Sequence, residues 1–386
     1  MRKIRMGMVG GGQGAFIGAV HRIAANIDGQ IELVCGAFCS DAERSVQSGQ
    51  ALYLPESRCY PDYQTMMAAE AALDADERMD FVAIVTPNHL HFPVAKLALE
   101  HGFHVMSDKP ATYSLKEALA LKEALETQSL LYGLTHTYTG YPLVKEARER
   151  IAAGELGAIR KVVVEYPQGW LAAREEDNDD NKQAAWRLDP QRAGVSSCMG
   201  DIGVHAANLA EYVCGIKISE LCADLTSFVD DRELDDDGSI LLRFDNGARG
   251  VLMASQISVG EENALRIRAY GEHGGLEWNQ QEPNSLILKW NDKPMQILRT
   301  SCAGLGDTAN ANSRTPGGHP EGYLEAFANH YRNFAAQISA HITGEEPDKV
   351  AADLPGIAEA VRGMAFIEHT VRASASDQKW HELPDY

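Results

Sequence analysis

A chain of 386 residues is longer than one ordinary hydrophobic core needs and points to two or three domains. With 45% hydrophobic and 23% charged residues it reads as a globular protein, and a formal charge of −20 argues against phosphate backbones and anionic membranes as partners. The seven cysteines are odd in number and lack CxxC or zinc-type spacing, so neither a disulfide framework nor a structural metal is implied; Cys35, Cys39, Cys198, Cys214 and Cys222 sit among apolar neighbours and read as buried thiols.

The N-terminal "MRKIRMGMVGGG" passes from charge to strand to glycine turn without a signal-type apolar segment, and no apolar run approaches the roughly 20 residues of a membrane span. A cytoplasmic protein is expected. "IRMGMVG" reads as a strand, "GGGQG" as a turn and "FIGAVHRIAANI" as a helix. Strand "IELVCGAF", a helix around "AERSVQSGQALY" and the almost uniformly apolar strand "DFVAIVTP" follow. Helix "PVAKLALEHG" closes on Gly102 before strand "HVMSDKP". Ser114 and Glu117 form a capping box for helix "SLKEALALKEALETQ", and "LLYGLTH" is the last strand of the series. Such alternation implies a doubly wound parallel sheet with right-handed crossovers.

Past residue 140 the texture changes. Helix "LVKEARERIAAGELG" leads to strand "IRKVVVEYPQG", an acidic loop and helix "GDIGVHAANLAEYVCG". "SILLRFDNGARGVLMAS" carries a two-residue hairpin signal at Asn246-Gly247, and "ALRIRAYGEHGGLEW" and "SLILKWNDKPMQIL" extend an antiparallel sheet. The end returns to helix in "YLEAFANHYRNFAAQI" and "PGIAEAVRGMAFIEHTVRAS". The expected fold is α/β: an N-terminal Rossmann domain over residues 1–139 and a C-terminal α+β domain with a mainly antiparallel open sheet over 140–386. The acidic runs "REEDNDD" and "DDRELDDDG" read as solvated loops, without the spacing of a calcium site.

Chemistry gathers at the strand ends. Gly10, Gly12 and Ala15 fit the G-x-G-x-x-G/A pattern at the first strand–turn–helix, where glycines allow close approach of a pyrophosphate to a helix N-terminus; Gly11, Gly14 and Gly18 offer competing registers. After the second strand, Ser40 and Asp41 with Arg44 nearby leave NAD and NADP both open, with a lean to NADP because no acid stands at the strand tip. Thr86, Pro87, Asn88 and His91 in "VTPNHLH", and Lys109 and Pro110 in "SDKPAT", lie where open α/β sheets bind cofactors. Asp201 and His205, four apart in "CMGDIGVHAANL", would share one helix face and suit either proton transfer or no more than a capping Asp with a satisfied core His; a metal would need a further ligand that nothing nearby clearly supplies, so no metal is expected. Tyr166, Gln168, Trp186, Arg187 and His319 are candidate contacts for a sugar ring.

The ordered set "VGGG", "VTPNHLH", "DKP", "GELG", "WRLDPQRAG" and "GDIGVHAANL" resembles the glucose–fructose oxidoreductase, inositol dehydrogenase and MocA family over nearly the whole chain. The resemblance implies oxidation or reduction of secondary alcohols of sugars and cyclitols with NAD or NADP, and a homodimer or homotetramer built through the C-terminal sheet. It also implies that Lys109 and Asp201 hold or polarise the reacting hydroxyl while His205 takes its proton. Asp108 stands where the family usually has glutamate, "AGVSSCMGD" replaces a more glycine-rich run, and the glycine turn before "GAVH" is longer. Relatives that use NAD transiently in glycoside cleavage or epimerisation, and a silent dinucleotide-binding sensor or scaffold, are the alternatives.

Overall fold

The computed structural model describes residues 2–178 and 181–386. The chain divides into two compact units, Met1–Thr137 with Phe327–Val361, and Tyr138–Ala326 with Arg362–Tyr386. A division at 139/140 therefore differs from these units at Tyr138 and Thr139, which fall in the second, and in residues 327–361, which the contacts assign to the first.

In the first unit, among the described residues, strands β1 (Ile4–Gly10), β2 (Ile31–Ala37), β3 (Phe81–Val85), β4 (His104–Ser107) and β5 (Tyr132–Leu134) form a parallel sheet in the order β2-β1-β3-β4-β5. A single parallel bridge between Gly36 and Cys59 extends the β2 edge in place of a further strand. β3 and β4 are buried at every residue, as a sheet covered on both faces demands. The chain order reverses between β1 and β3, so their carboxyl ends mark the crevice where doubly wound sheets take ligands. Residues 327–361 add to this unit: Leu134 donates its N–H to the Pro355 carbonyl, and Phe334 packs edge-on against Phe81.

The second unit holds β6 (Lys161–Pro167), β7 (Ile218–Thr226), β8 (Asp237–Phe244), β9 (Arg249–Ser255), β10 (Arg266–Tyr270), β11 (Gly274–Asn279), β12 (Ser285–Trp290), β13 (Gln296–Arg299) and β14 (His381–Glu382). Among the described residues they make one nine-stranded sheet, antiparallel except where β6 runs parallel to β9. Here β8 and β10 alternate buried and more exposed residues, because one face packs on helices and the other does not. The fold class expected from the alternation and hairpin signals is the one observed.

Several local expectations are corrected. The Asn246-Gly247 hairpin is not a two-residue turn: Phe244 and Ala248 pair by a backbone bond, and Gly247 takes φ +88°, the left-handed position of a longer loop. Helix Tyr63–Ala71 was not anticipated, because its buried Met66, Met67 and Glu70 form no apolar stripe. Cys39 and Cys222 are only half-buried, one past the end of β2 and one on the less covered face of β7. The run "DDRELDDDG" is not a solvated loop, since Arg232, Leu234, Asp235 and Asp236 are buried. The last two residues of "REEDNDD", Asp179 and Asp180, lie outside the described residues.

Candidate active site

β1 delivers the chain into the glycine turn. Gly10 and Gly11 have φ +83° and +70°, and a Cβ on Gly10 would stand 2.7 Å from the Val85 carbonyl at the end of β3. A Cβ on Gly12 would lie 2.8 Å from the Phe38 carbonyl, to which Gly12 donates its own N–H. Gly14, at φ +81°, has nothing within 4 Å of a Cβ, and Gln13 and Gly14 are exposed. Close helix–strand packing falls to Gly18, whose Cβ would meet Gly11 Cα at 2.3 Å.

Helix Phe16–Ile27 begins after Ala15 without a side-chain cap among the described residues and has no acid in its first turn. By contrast, helices Ala42–Ala51, Tyr63–Ala71 and Leu115–Glu126 are capped by Asp41, Asp62 and Ser114. A tight turn and an uncapped helix start fit the pyrophosphate of a dinucleotide, which would supply the missing acceptors. Ser40, Asp41 and Arg44 are exposed beyond the β2 end, and the Asp41 carboxylate accepts the Arg44 N–H at 2.8 Å.

The loops after β3 and β4 are tied together by His91. Its Nδ1 lies 2.7 Å from the Pro110 carbonyl and its Nε2 2.8 Å from the Thr86 carbonyl, and burial lowers its pKa. Both ring nitrogens face backbone, so His91 orders the strand-end loops, while Asn88 is buried within the turn that Pro87 begins. The Lys109-Pro110 peptide is cis. Asp108, where the family resemblance predicts glutamate, accepts the Thr135 hydroxyl at 2.7 Å and the Lys109 N–H at 3.0 Å. Burial works to raise its pKa, but the His21 ring, the Lys109 ammonium and the Thr135 hydroxyl outweigh that and hold it well below the usual carboxylate range. His21, fully buried, places Nε2 3.9 Å from Asp108 and Nδ1 2.6 Å from the Tyr331 hydroxyl.

In the second unit the Asp201–His205 interval is not a plain α-helical turn. Met199–Gly203 forms a π turn, with Val204 donating to the Met199 carbonyl, and the α-helix Val204–Cys214 starts only after it. Such insertions recur at functional positions because they re-aim a side chain within a helix. Asp201 Oδ2 accepts Gln256 Nε2 at 2.9 Å and lies 3.3 Å from Arg187 Nε. Arg187 stacks over Trp186 at 4.3 Å and bonds the Gln183 side chain. His205, 8% exposed, packs against the edge of Tyr138, ring centroids 4.9 Å apart, with Tyr166 at 6.4 Å.

From Tyr138 a polar chain runs outward. The Tyr138 and Tyr166 hydroxyls bond each other, Tyr166 donates to Asn263 Oδ1 at 2.7 Å, and Gln168 Nε2 donates to the same oxygen at 2.7 Å. Burial pushes the Tyr166 phenol well above its usual pKa, so it stays a neutral donor. Asn263 also lines a cavity of about 330 Å³ with Tyr141, Glu262, Gln280, Gln281 and Tyr323. His319, expected at a sugar, is exposed in a loop with Nδ1 3.1 Å from the Pro316 carbonyl.

The structure thus brings Asp201, Arg187 and Trp186 into one cluster and His205, Tyr166 and Gln168 into another, within one unit. Sequence reasoning missed His21, Thr135, Tyr138, Gln256 and Asn263. A histidine on the buried face of the first helix was the visible signal for His21, and "THTY" at the end of β5 for Thr135 and Tyr138.

A parallel sheet with this glycine turn defines a dinucleotide-binding, Rossmann-type class of protein. The chain belongs to the Gfo/Idh/MocA oxidoreductase family: residues 4–136 match its NAD-binding Rossmann fold and residues 144–277 its C-terminal domain. The uncharacterized oxidoreductase YfiI of Bacillus subtilis is 35% identical over 99% of this chain and 97% of its own length. An inositol dehydrogenase homolog from Azotobacter vinelandii, solved with NAD+, superposes with TM-score 0.93 at 35% identity over 99% of this chain and 97% of that one. Its structure with NADH and myo-inositol gives TM-score 0.91 at 34% identity, covering 99% and 98%. The levoglucosan dehydrogenase of Pseudarthrobacter phenanthrenivorans is 26% identical over 74% of this chain and 76% of that protein. Among the described residues, no helix is long and apolar enough to cross a membrane.

Proposed function

We propose that this protein is an NAD(P)-dependent dehydrogenase that interconverts a secondary alcohol and a ketone on a sugar, cyclitol or related polyol. The observation that carries the reading is the Asp201 carboxylate, set on a π turn and gripped by Gln256 and Arg187, directly ahead of the helix that bears His205. The relatives solved with NAD+ and with NADH and myo-inositol support the same chemistry here.

Alcohol oxidation removes a proton from oxygen as hydride leaves carbon, and the bound nicotinamide supplies the hydride acceptor. Gly10, Gly12, Gly14 and Ala15 would hold the pyrophosphate of a bound dinucleotide, and Thr86, Pro87, Asn88 and Pro110 would border it. His205 takes the hydroxyl proton, its ring held by the Tyr138 edge; a base near neutrality suits that step. Lys109 stabilises the developing alkoxide, on a loop fixed by the Asp108–Thr135 bond. Asp201, with Arg187 Nε 3.3 Å from its carboxylate, accepts from a substrate hydroxyl. Tyr166, Gln168, Trp186 and Arg187 contact the rest of the ring. Exposed Ser40 and Arg44 leave room for a 2′-phosphate, so NADP stands beside NAD.

The test is a panel of cyclitols, aldoses and keto sugars mixed with the purified protein and either cofactor, followed by nicotinamide absorbance. Stoichiometric accumulation of NADH or NADPH supports the reading. Product without accumulated reduced cofactor would replace net dehydrogenation by a transient redox cycle.

A further inference from the structure

The run Asp230–Gly238 looks like surface charge in the sequence, yet its middle is interior: Asp235 is 9% exposed and Asp236 fully buried. A buried carboxylate is tolerated only where its oxygens are satisfied. Asp236 meets that need with Arg232 Nη1 at 3.1 Å and the Phe228 and Val229 N–H groups, a self-contained loop anchor.

Asp235 faces elsewhere. Its Oδ1 accepts the Ser197 N–H at 3.0 Å, and its Oδ2 accepts the Met199 N–H at 2.9 Å and the Ser196 hydroxyl at 3.0 Å. Its carbonyl accepts the Cys198 N–H at 3.0 Å, and Ser196 Oγ accepts the Gly200 N–H at 3.1 Å. Four consecutive amides, 197 to 200, are thereby satisfied by Asp235 and the serine it holds. These are the donors that a helix start leaves without intrahelical partners. The next residue is Asp201, whose N–H returns to the Ser197 carbonyl at 2.8 Å. The run also reaches the Asp201 carboxylate from the other side: the Asp236 carbonyl accepts the Gln256 N–H at 2.8 Å, and Gln256 Nε2 grips Asp201.

We propose that Asp235 is a positioning residue for Asp201, bracing the π turn from outside so that the Asp201 carboxylate is presented at a fixed place. The inference rests on the reading of Asp201 as a substrate-binding group. Asp235 itself touches neither substrate nor cofactor. Its contribution is geometric, and geometry at a reacting centre is worth large factors in rate.

The test uses full-length Asp235→Asn and Ser196→Ala. The amide of Asp235→Asn turns a donor toward an N–H or hydroxyl that needs an acceptor, whereas Ser196→Ala removes one link and keeps the carboxylate. Hydrogen exchange of the peptide covering 196–201 should quicken about tenfold or more in Asp235→Asn, with the nine-stranded sheet unaltered. At saturating NAD or NADP, kcat should fall about 10–100-fold in Asp235→Asn and less in Ser196→Ala, with cofactor Kd unchanged. Wild-type kcat in both variants, despite faster exchange of that peptide, would reduce Asp235 to a stability residue. Unchanged exchange would show that no brace exists. Should Asp235→Asn fail to fold, Ser196→Ala decides on the same readouts. A wild-type protein inert toward every polyol would refute the dehydrogenase reading, while the exchange data still judge the brace.

Discussion

Placing a methyl group at Gly18 tests the cofactor turn without touching any group that could react. The new Cβ would stand 2.3 Å from Gly11 Cα and 2.5 Å from the Gly11 carbonyl oxygen, both backbone atoms. Ordinary contact needs roughly 3.5–4.0 Å, so helix and turn must separate by about 1.2–1.7 Å. Overpacking of this kind costs about 1–3 kcal/mol in stability. The displaced turn also loses its fit to the pyrophosphate, and each 1.4 kcal/mol lost there is a factor of about ten in affinity. Gly18→Ala should therefore raise the NADH Kd about 10–100-fold, measured by titration of dihydronicotinamide fluorescence, and lower Tm by several degrees. Gly29→Ala is the control: φ is +67° with nothing within 4 Å of its Cβ, past the far end of the same helix. It should cost about 1 kcal/mol of stability and leave cofactor affinity alone. Wild-type affinity in Gly18→Ala would refute the assignment of this turn to the cofactor.

His205→Ala should lower kcat about 10²–10⁴-fold with cofactor Kd nearly unchanged, measured in steady-state assays on any accepted polyol. Thr135→Val removes a hydrogen bond from the half-buried Asp108 carboxylate and should reduce kcat through Lys109 while NAD still binds; equal rates in variant and wild type would detach Asp108 from the site. Burial, helped by His341, lowers His104 to about 4, and burial with Lys109 and His330 lowers His136 to about 3. Both are neutral when folded but take up a proton in the unfolded chain below about 6.5. Their contribution is thus intact above that pH and drains as pH falls toward the folded values, by about 2 kcal/mol each at pH 5. Tm should drop from pH 7 to pH 5, and His104→Asn, which keeps an acceptor for the Leu131 N–H, should flatten the drop.

Legibility in the sequence followed the physics of each signal. β1 and helix Phe16–Ile27 were readable to the residue, because a continuous apolar strand, a glycine turn and a helical apolar stripe each leave a distinct period. The order of the parallel strands left no such mark, nor did the π turn at Met199–Gly203, since an i→i+5 bond needs no distinctive residue spacing. The acidic run misled because composition reports charge, whereas burial depends on distant partners: Asp235 is satisfied by residues 196–199 and Arg232 by Glu176. Lys109, Asp201 and His205 stood out as chemistry-bearing types at strand and helix ends. The residues that hold them, Thr135, Gln256 and Tyr138, are ordinary polar side chains until the fold brings them near.

The most direct test of the dehydrogenase account is the initial rate of NAD(P)H formation by the purified wild-type protein across the cyclitol and sugar panel, with His205→Ala run in parallel. The account predicts sustained, stoichiometric reduction of one nicotinamide cofactor with at least one secondary-alcohol substrate, nearly abolished in the variant. Tight cofactor binding with no reduction on any polyol, or equal rates in wild type and variant, would contradict it.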